Sequence, residues 1–404
     1  GNRMDEGVSI DISSGAGFSG PVSGRQIINN VFNIGPYATW PAISFNGSGT
    51  GVPWFVYSVG GAVIQGNTFS GSNTQYIRTR GDVDESQFDW TSYWNDNTYD
   101  KGVMVVIDPT PPYTPSVYPY TAGGYTFTNV SAIFATIQDG VDAANAGETV
   151  LIKSGVYTGT DNVVTINKNR LMLIGAGANS TIISRTVAGP ASGILIAPAI
   201  TGTNISNLEV IGFNQGGICG QSMNNNTVIS GTQVFSNTAS GGCQGGIHFT
   251  GPVTNVTITG NEAAYNTSRG IVIWDGFKQH ITITNNIARN NNCCGIELQD
   301  GTASGVLMSG NTVYDNADSG MSATGLMAGA GPNVISNNTV RNNGRFGIEL
   351  KLSNGTGASR GDGSILVISN TVELTAAIGV IKPGEDRDLA GIAAYRRAWV
   401  PGYN

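Results

Sequence analysis

The feature of this sequence that most restricts its fold is an internal repeat. A Gly-Ile pair (Gly-Met in one copy) begins a short apolar run at residues 193, 217, 246, 270, 295, 320 and 347, in steps of 24 to 27 residues with one of 29. Two asparagine columns keep the same period. One contains Asn261, Asn286, Asn311 and Asn338, and the other contains Asn266, Asn290, Asn316 and Asn342. A fixed period of this length is typical of a solenoid.

Each repeat holds two or three runs of strand length in which apolar and polar residues alternate, such as 256–259, 271–273 and 281–284. The repeats are too short for the long crossover that parallel strands ordinarily need. A coil removes the need, because each turn supplies one strand to each of three sheets, about 4.8 Å from the turn before. The sequence therefore predicts an all-β fold, a parallel β-helix with turns of about 25 residues and three sheets.

A helical segment is expected in the interior of the chain. Phe134 to Ala144 has apolar residues at helical spacing, Ser131 is a candidate N-cap, and Gly147 follows the end. This segment, the strand-like run 150–157 and the repeats resemble the pectin-lyase-like superfamily of right-handed parallel β-helices, above all its secreted bacterial parallel β-helix repeat proteins. The resemblance covers most of the chain. It implies a right-handed coil with a short α-helical cap near 131–146.

The order of these parts looks rotated, because coil-like turns precede the cap at 7–11, 25–30, 41–45 and 62–67. A strand at 103–107 and a proline-rich stretch at 109–119, expected to be extended and stiff, come next. We therefore expect terminal turns of one β-helix over 1–107, a Pro/Tyr-rich linker over 108–128 and a capped β-helix over 129–404.

Composition excludes several classes of function. A net charge of −7 disfavours nucleic acid and anionic membranes as partners. No apolar run approaches the roughly 20 residues that span a bilayer. The chain opens on Gly1 without a signal-peptide pattern, so we interpret it as part of a longer precursor that is secreted or displayed at the cell surface.

Four cysteines allow three complete pairings, and none has zinc-site spacing. Cys293 and Cys294 are adjacent, which leaves open a vicinal disulfide or two buried free thiols.

Alternation along the Gly-Ile strands predicts one exposed face with two outward rows. The first row is His248, Val272, Glu297, Ser322 and Glu349, and the second is Thr250, Trp274, Gln299, Thr324 and Lys351. Asp275 and Asp300 stand at the strand ends, each followed by glycine.

The resemblance implies that such a face can carry the paired carboxylates of a glycosidase. Asp275 and Asp300 are expected about one strand spacing apart, near the distance of a retaining pair, and Glu297 and Glu349 about 10 Å apart, at the wide limit of an inverting pair. The candidate catalytic residues are thus Asp275, Glu297, Asp300 and Glu349, and the candidate glycan contacts are Trp274, Gln299, His248 and Lys351.

Other interpretations of these residues stay open. Asp275, Glu297 and Asp300 could hold Ca²⁺ through oxygen ligands, although no cofactor is required. Aspartates before glycine also favour turns in an ordinary solvated face. A second acidic group around Trp90 and Trp94 predicts either a calcium-stabilised loop or a solvated one, and its members are Asp82, Asp84, Glu85, Asp89, Asp96 and Asp100.

Three functions are compatible with these features. The leading hypothesis is an extracellular structural module that assembles head to tail with copies of itself into a fibre or sheath, since residues 391–404 offer no obvious cap and uncapped coils present open strand edges. The alternative is a glycoside hydrolase or polysaccharide lyase acting through the acidic face. The third is a non-catalytic glycan-binding adhesin.

Overall fold

The computed structural model describes the chain in segments separated by gaps. The described residues are 2–5, 10–13, 25–34, 41–46, 62–71, 75–80, 90–100, 102–106, 120–122, 125–127, 132–158, 163–185, 191–239, 242–351, 365–373 and 390–395. The proline-rich stretch 109–119, Ser131 and the last residues, 396–404, lie outside them, as do Asp82, Asp84, Glu85 and Asp89. The described residues form two compact units, Gly1–Tyr157 and Thr158–Asn404. The domain boundaries at 107 and 128 stay predictions.

The first unit begins with turns of a parallel coil. Its elements are β1 (Arg3–Asp5), β2 (Ile10–Ser13), β3 (Gln26–Ile28), β4 (Val31–Ile34), β5 (Ile43–Asn46), β6 (Val63–Gln65), β7 (Thr68–Gly71), β8 (Gln75–Arg80), α1 (Trp90–Asn95), β9 (Thr98–Tyr99), β10 (Val103–Val106), β11 (Tyr120–Ala122), β12 (Tyr125–Phe127), β13 (Ala132–Phe134), α2 (Ile137–Ala143), β14 (Thr149–Ile152) and β15 (Gly155–Tyr157).

Parallel pairing in this unit joins β1, β4, β7 and β9 in one sheet, β2, β5 and β8 in a second, and β3 and β6 in a third. Antiparallel pairing follows, with β13 against β8 and β10, and β10 against β14. The core is aromatic: the rings of Phe32, Phe69 and Tyr99 stack with centroids 4.9 and 5.0 Å apart.

The helix of the expected cap is shorter than the sequence suggested. It starts at Ile137, and its N-cap is Thr136, whose hydroxyl accepts a hydrogen bond from the backbone N–H of Asp139. Ser131 as N-cap is therefore wrong. The residues just after it form β13 because they find strand partners on both sides.

The second unit is a coil of three parallel sheets. Sheet A consists of β17 (Met172–Gly175), β20 (Asn204–Ser206), β23 (Val228–Ser230), β26 (Val253–Thr259), β29 (Phe277–Thr284), β32 (Thr302–Ser309), β35 (Asn333–Ser336) and β38 (Ile365–Ile368). Sheet B consists of β18 (Thr181–Ser184), β21 (Glu209–Ile211), β24 (Gln233–Phe235), β27 (Glu262–Ala264), β30 (Ile287–Arg289), β33 (Thr312–Tyr314), β36 (Thr339–Arg341) and β39 (Thr371–Glu373).

Sheet C contains the Gly-Ile strands. It consists of β16 (Val164–Ile166), β19 (Ile194–Ile196), β22 (Ile218–Gly220), β25 (Gly245–Thr250), β28 (Arg269–Trp274), β31 (Ile296–Gln299), β34 (Met321–Thr324), β37 (Phe346–Lys351) and β40 (Ala390–Tyr395). Each strand pairs with its equivalent one turn away, which confirms the parallel β-helix.

The inner row of sheet C confirms the predicted repeat. Ile271 pairs with Ile296, which pairs with Met321, which pairs with Ile348, and all four side chains are buried. The glycine before each is required by close approach: a Cβ on Gly270 would lie 2.6 Å from the carbonyl oxygen of Gly295. Period and packing therefore have one cause, the stacking of equivalent residues.

The first asparagine column forms a buried ladder. Asn261, Asn286, Asn311 and Asn338 each donate from Nδ2 to Oδ1 of the next member at 2.8–3.0 Å, ending on Asn370. The same Oδ1 also accepts the backbone N–H of the previous member. Each rung thus satisfies a buried amide and a buried backbone donor together.

The second column is one residue off at two positions. The ladder consists of Asn237, Asn266, Asn291, Asn316 and Asn343. Asn290 and Asn342, predicted as members, instead hold the left-handed backbone just before it, each with φ of 52°. Asparagine suits both positions, because it tolerates left-handed backbone and also bonds along the axis.

The cysteines are divided into two kinds. Cys219 and Cys243 form a disulfide with Cα atoms 6.0 Å apart, and Cys293 and Cys294 are free thiols. Among the described residues, no helix is long and apolar enough to cross a bilayer.

Candidate functional site

The first outward row of sheet C is buried. The predicted register holds, since His248, Val272, Glu297, Ser322 and Glu349 are successive partners. All five are at most 2% exposed, so the expectation that this row faces solvent is wrong. Side chains from the turn before each strand and from the second row cover it.

Two buried glutamates share one lysine. Nζ of Lys351 lies 3.1 Å from Glu297 and 3.4 Å from Glu349. The two carboxylates, predicted as a catalytic pair two turns apart, are thus bridged by an ammonium group. A buried carboxylate is costly unless it is paired, which explains why the lysine folds back over the row.

Arg269 secures the other side of Glu297. Its Nε donates to the carboxylate at 2.7 Å, its Nη2 donates to Gln299 at 2.5 Å, and its guanidinium lies 4.7 Å from the ring of Trp274. Glu349 also accepts from the Ser319 hydroxyl at 2.9 Å, and Arg345 lies 3.9 Å from it. We call Arg269, Glu297, Arg345, Glu349 and Lys351 the charged cluster.

Mutual attraction keeps Glu297 and Lys351 charged although both are largely buried. Burial acts to raise the pKa of Glu297, but Lys351 and Arg269 outweigh it and hold that pKa below its ordinary 4.5. Burial acts to lower the pKa of Lys351, but Glu297 and Glu349 outweigh it and raise that pKa. The solvent-facing parts of the cluster are cationic: the side chains of Arg269, Lys351 and Arg345 are 15, 12 and 30% exposed, against 2% for each glutamate.

Two hydroxyl groups lie within this cluster without partners. Ser322 stands between Glu297 and Glu349 in the first row, and Thr324 is the strand neighbour of Lys351 in the second. Both are 1% exposed, and within the part of the chain that the structure describes neither hydroxyl makes a hydrogen bond. Buried polar groups are rarely left unsatisfied, so these two hydroxyls mark a part of the cluster with fewer hydrogen bonds than usual.

Both ring nitrogens of His248, the first residue of this row, have polar neighbours. Its Nδ1 accepts the backbone N–H of Gln244 at 3.1 Å, and its Nε2 lies 2.8 Å from the Thr250 hydroxyl. Burial, together with the charge of Arg269, lowers its pKa to about 4. The ring is therefore neutral near pH 7, and both its nitrogens are engaged.

Asp275 and Asp300 occupy turn positions. Their φ values are 56° and 47°, and the glycine after each has positive φ. The backbone N–H of Asp275 donates to the Gln299 carbonyl at 2.8 Å, so the two turns are stacked neighbours. Lys278 lies beneath, fully buried, and its Nζ donates to the Asp300 carbonyl. Burial lowers the pKa of Lys278 to about 8. The residues just before the two aspartates, Trp274 and Gln299, both contact Arg269 of the charged cluster. A catalytic or calcium-binding role for the aspartates stays a prediction.

A second group of reactive side chains lies in the turn before sheet C. The sulfur atoms of Cys293 and Cys294 and a carboxylate oxygen of Asp318 are all within 4.8 Å of one another. Burial, together with the charge of Glu349, raises the pKa of Asp318. A hydrogen bond with Cys294 and the charge of Arg269 lower the pKa of the Cys293 thiol, while burial opposes them.

Sequence reasoning missed Arg269, Arg345 and Asp318. These residues lie outside the alternating strand pattern. Arg269 comes two residues before the buried Ile271, and the other two each come three residues before a buried residue, Met321 and Ile348. The available signal was the charge itself, since charged residues make up only 12% of the chain and the equivalent positions of earlier turns carry uncharged residues such as Ser192, Gln215 and Gly216.

In the acidic group around Trp94, Asp100 accepts the backbone N–H of Gly71 at 3.1 Å and the hydroxyl of Tyr76. Four of its aspartates and glutamates lie outside the described residues, so its role stays a prediction.

The interior of the chain matches a known protein family. The model described as the right handed beta helix region matches residues 123–325, half of the chain. The chain belongs to the right-handed β-helix family. No curated protein sequence matches the chain.

Several solved β-helix structures are similar to this one. The A-module of the mannuronan C-5 epimerase AlgE6 of Azotobacter vinelandii is 18% identical over 60% of this chain and 72% of that one, with a TM-score of 0.42. An alginate lyase of Paenibacillus sp. is 14% identical over 64% and 96%, with a TM-score of 0.39. The Dettilon tailspike protein is 18% identical over 55% and 43%, with a TM-score of 0.41.

Proposed function

We propose that this β-helix is a carbohydrate-active protein that binds and cleaves an acidic polysaccharide on sheet C. The observation that supports this proposal most directly is the charged cluster, whose cations are its most exposed members. The partly exposed cations and the aromatic ring beside them are together groups that an acidic sugar can use.

The cations supply recognition of charge. Arg269 and Lys351 are fixed from behind by Glu297, so they present donors without the entropy cost of ordering long side chains on binding. Arginine in particular matches the planar carboxylate group of a uronic acid. The chain as a whole carries a net charge of −7, so this group of partly exposed cations differs from its acidic background and favours an acidic guest.

Trp274 supplies a platform for a sugar ring. It is half-buried in the second row, with Gln299 as its neighbour one turn on. Arg269 lies against one face of the indole, which fixes the ring in place. An aromatic ring beside hydrogen-bonding groups is a common arrangement in small-molecule sites.

The charges favour elimination over hydrolysis. Glu297 is ionised and doubly ion-paired, so it holds no proton to donate to a leaving oxygen, as a hydrolase acid must. In an elimination a base from solvent takes the ring proton beside the sugar carboxylate, the electron pair forms the new carbon–carbon double bond, and the glycosidic oxygen leaves and is protonated by water. Cations on the carboxylate stabilise the negative charge that develops as the proton is removed. Within the two enzyme classes expected from the sequence, we therefore propose a polysaccharide lyase.

The disulfide between Cys219 and Cys243 supports a secreted or surface location, because such bonds persist in oxidising compartments. Head-to-tail assembly into a fibre gains no support from the described residues or the comparisons, and it stays a prediction.

The test measures binding and products with matched acidic and neutral polysaccharides. We expect binding only to the uronate polymers, weakening with added salt, and products with the ultraviolet absorbance of an unsaturated uronate. Equal binding to neutral polymers would refute the recognition proposal, and binding without unsaturated products would refute the lyase.

A further inference from the structure

Cys293, Cys294 and Asp318 form a compact set of potential metal ligands beside the charged cluster. The three ligand atoms lie within 4.8 Å of one another, and Sγ of Cys293 is 3.9 Å from Oδ2 of Asp318. Cys294 is 2% exposed, while the other two are half-buried. One side of the group is therefore closed and the other open to solvent.

The separations suit a tetrahedral ion. Zinc binds sulfur at about 2.3 Å and carboxylate oxygen at about 2.0–2.2 Å, which places ligand atoms roughly 3.5–3.8 Å apart on a tetrahedron. The observed 3.9 Å is close to this, so small side-chain rotations would bring three ligands onto one ion. The fourth position would face the open side and take water.

The coil itself does not demand these residue types. Counting back from the buried residue of each strand, the positions of Cys293 and Asp318 are taken by Ser268 and Arg345 in the flanking turns. The position of Cys294 is taken by Arg269 and Ser319. The thiols are also not required for cross-linking, since the chain's disulfide uses the other two cysteines.

The surrounding charges fit a loaded site. Two thiolates and one carboxylate around a divalent ion leave one negative charge. Arg269 acts electrostatically on Cys293, and Arg345 and Lys351 act on Asp318. Glu297 and Glu349 act on the same ligands in the opposite sense, so the cations offset only part of the negative charge, and a bound divalent ion would supply the positive charge that the three ligands lack.

From this geometry we propose that Cys293, Cys294 and Asp318 bind one thiophilic divalent ion, of which Zn²⁺ is the physiological example. A hard ion such as Ca²⁺ prefers an all-oxygen shell and should not compete. The three proposed ligands are not among the groups assigned to glycan recognition, although Arg269 and Lys351 act electrostatically on them.

The test uses the full chain, purified under inert gas without reductant so that the Cys219–Cys243 disulfide stays intact. Titration with Cd²⁺ is followed by the ultraviolet absorbance of thiolate–cadmium bonds, and Zn²⁺ affinity is measured by competition with a coloured chelator. We expect one ion per chain, no response to Ca²⁺, and loss of the cadmium band in the C293S/C294S double variant.

Asp318→Asn separates the carboxylate from the thiols. It should weaken Zn²⁺ binding about tenfold and keep the thiolate–cadmium band, because both sulfurs remain. The matched control is Asp315→Asn in the same turn, which should change neither quantity. Far-ultraviolet circular dichroism reports whether each variant is folded.

Two results would overturn the proposal. One is equal metal binding by the wild-type chain and a folded double variant. The other is a thiol titration showing that Cys293 and Cys294 are joined to each other in the native protein. Glycan binding measured on the same variants should be unchanged, so the two proposals fail separately.

Discussion

The asparagine ladders and the charged cluster are both buried rows of polar side chains, yet they are built on opposite principles. In a ladder the same residue recurs in every turn, and each side chain is satisfied by the next copy of itself. In the first outward row of sheet C the residue changes at each turn, and its partners come from elsewhere, as Arg269 and Lys351 do for Glu297. The repeated asparagines stabilise the coil, whereas the residues that differ from turn to turn form the candidate site.

The largest effect should come from breaking a ladder at its centre. In Asn286→Ala the backbone N–H of Asn261 and the carbonyl of Ile258 lose their partner, and a cavity remains. Leaving two buried groups unsatisfied should lower the free energy of unfolding by about 4 kcal/mol. Urea denaturation measures it, with Thr282→Ala on the outer side of β29, in the same turn of the coil, as the control, which is expected to change little. A similar loss in both variants would contradict the role of the ladder.

Breaking the charged cluster should cost somewhat less, because its cations are partly hydrated. Lys351→Met leaves two carboxylates short of their shared cation, and we expect a loss of about 3 kcal/mol. Adding Glu297→Gln should restore part of the stability, since one uncompensated charge is then gone. A double variant as unstable as the sum of the single ones would show that the two residues are not coupled.

A pH effect should distinguish the charged row from the neutral ladders. The pKa of His248 is about 4 in the folded protein and 6.5 ordinarily, so on acidification the unfolded chain takes up this proton first. The stability it contributes is therefore complete above pH 6.5 and is lost as pH falls towards 4, by about 2 kcal/mol at pH 5. Denaturation at pH 8 and pH 5 should show this loss in the wild type and not in His248→Gln. The same substitution at exposed His280 should leave the loss in place.

The smallest effect on stability is expected at the edge of the cluster. Trp274→Ala removes a half-exposed ring that packs on Arg269, and we expect less than about 1 kcal/mol. Affinity for the acidic polysaccharide should nevertheless fall about tenfold by calorimetry. Tyr314→Ala removes the equivalent ring–arginine pair of sheet B, 4.6 Å from Arg341, and should leave affinity unchanged. Equal losses of affinity in the two variants would contradict a binding site on sheet C.

The parts of the fold that the sequence predicted are those that depend on the period. The column from Ile271 to Ile348 and the register from His248 to Glu349 follow directly from equivalent residues being stacked. The errors at Asn290 and Asn342 arose where two asparagines are adjacent and only three-dimensional position separates the left-handed one from the ladder member.

The candidate site was predicted less well, for a physical reason. Alternation tells which way Glu297 points from its strand, but not what lies above it. Its burial depends on Arg269, from the preceding strand of sheet C, and on Lys351, from two strands further along the sheet. An alternating sequence pattern does not predict how far such long side chains reach. The free thiols beside Asp318 were likewise left open, because adjacency in sequence does not fix which sulfur meets which partner.

The unequal length of the turns has a consequence for how such a chain can change. Asn237 and Asn266 are consecutive rungs although 29 residues separate them, whereas 25 separate Asn266 from Asn291. The surplus lies in the loop that carries Cys243, which is tied back by its bond to Cys219. The extra residues thus leave the asparagine ladder unchanged, with one member in each turn. New loops can be acquired at this corner without resetting the alignment of any later strand.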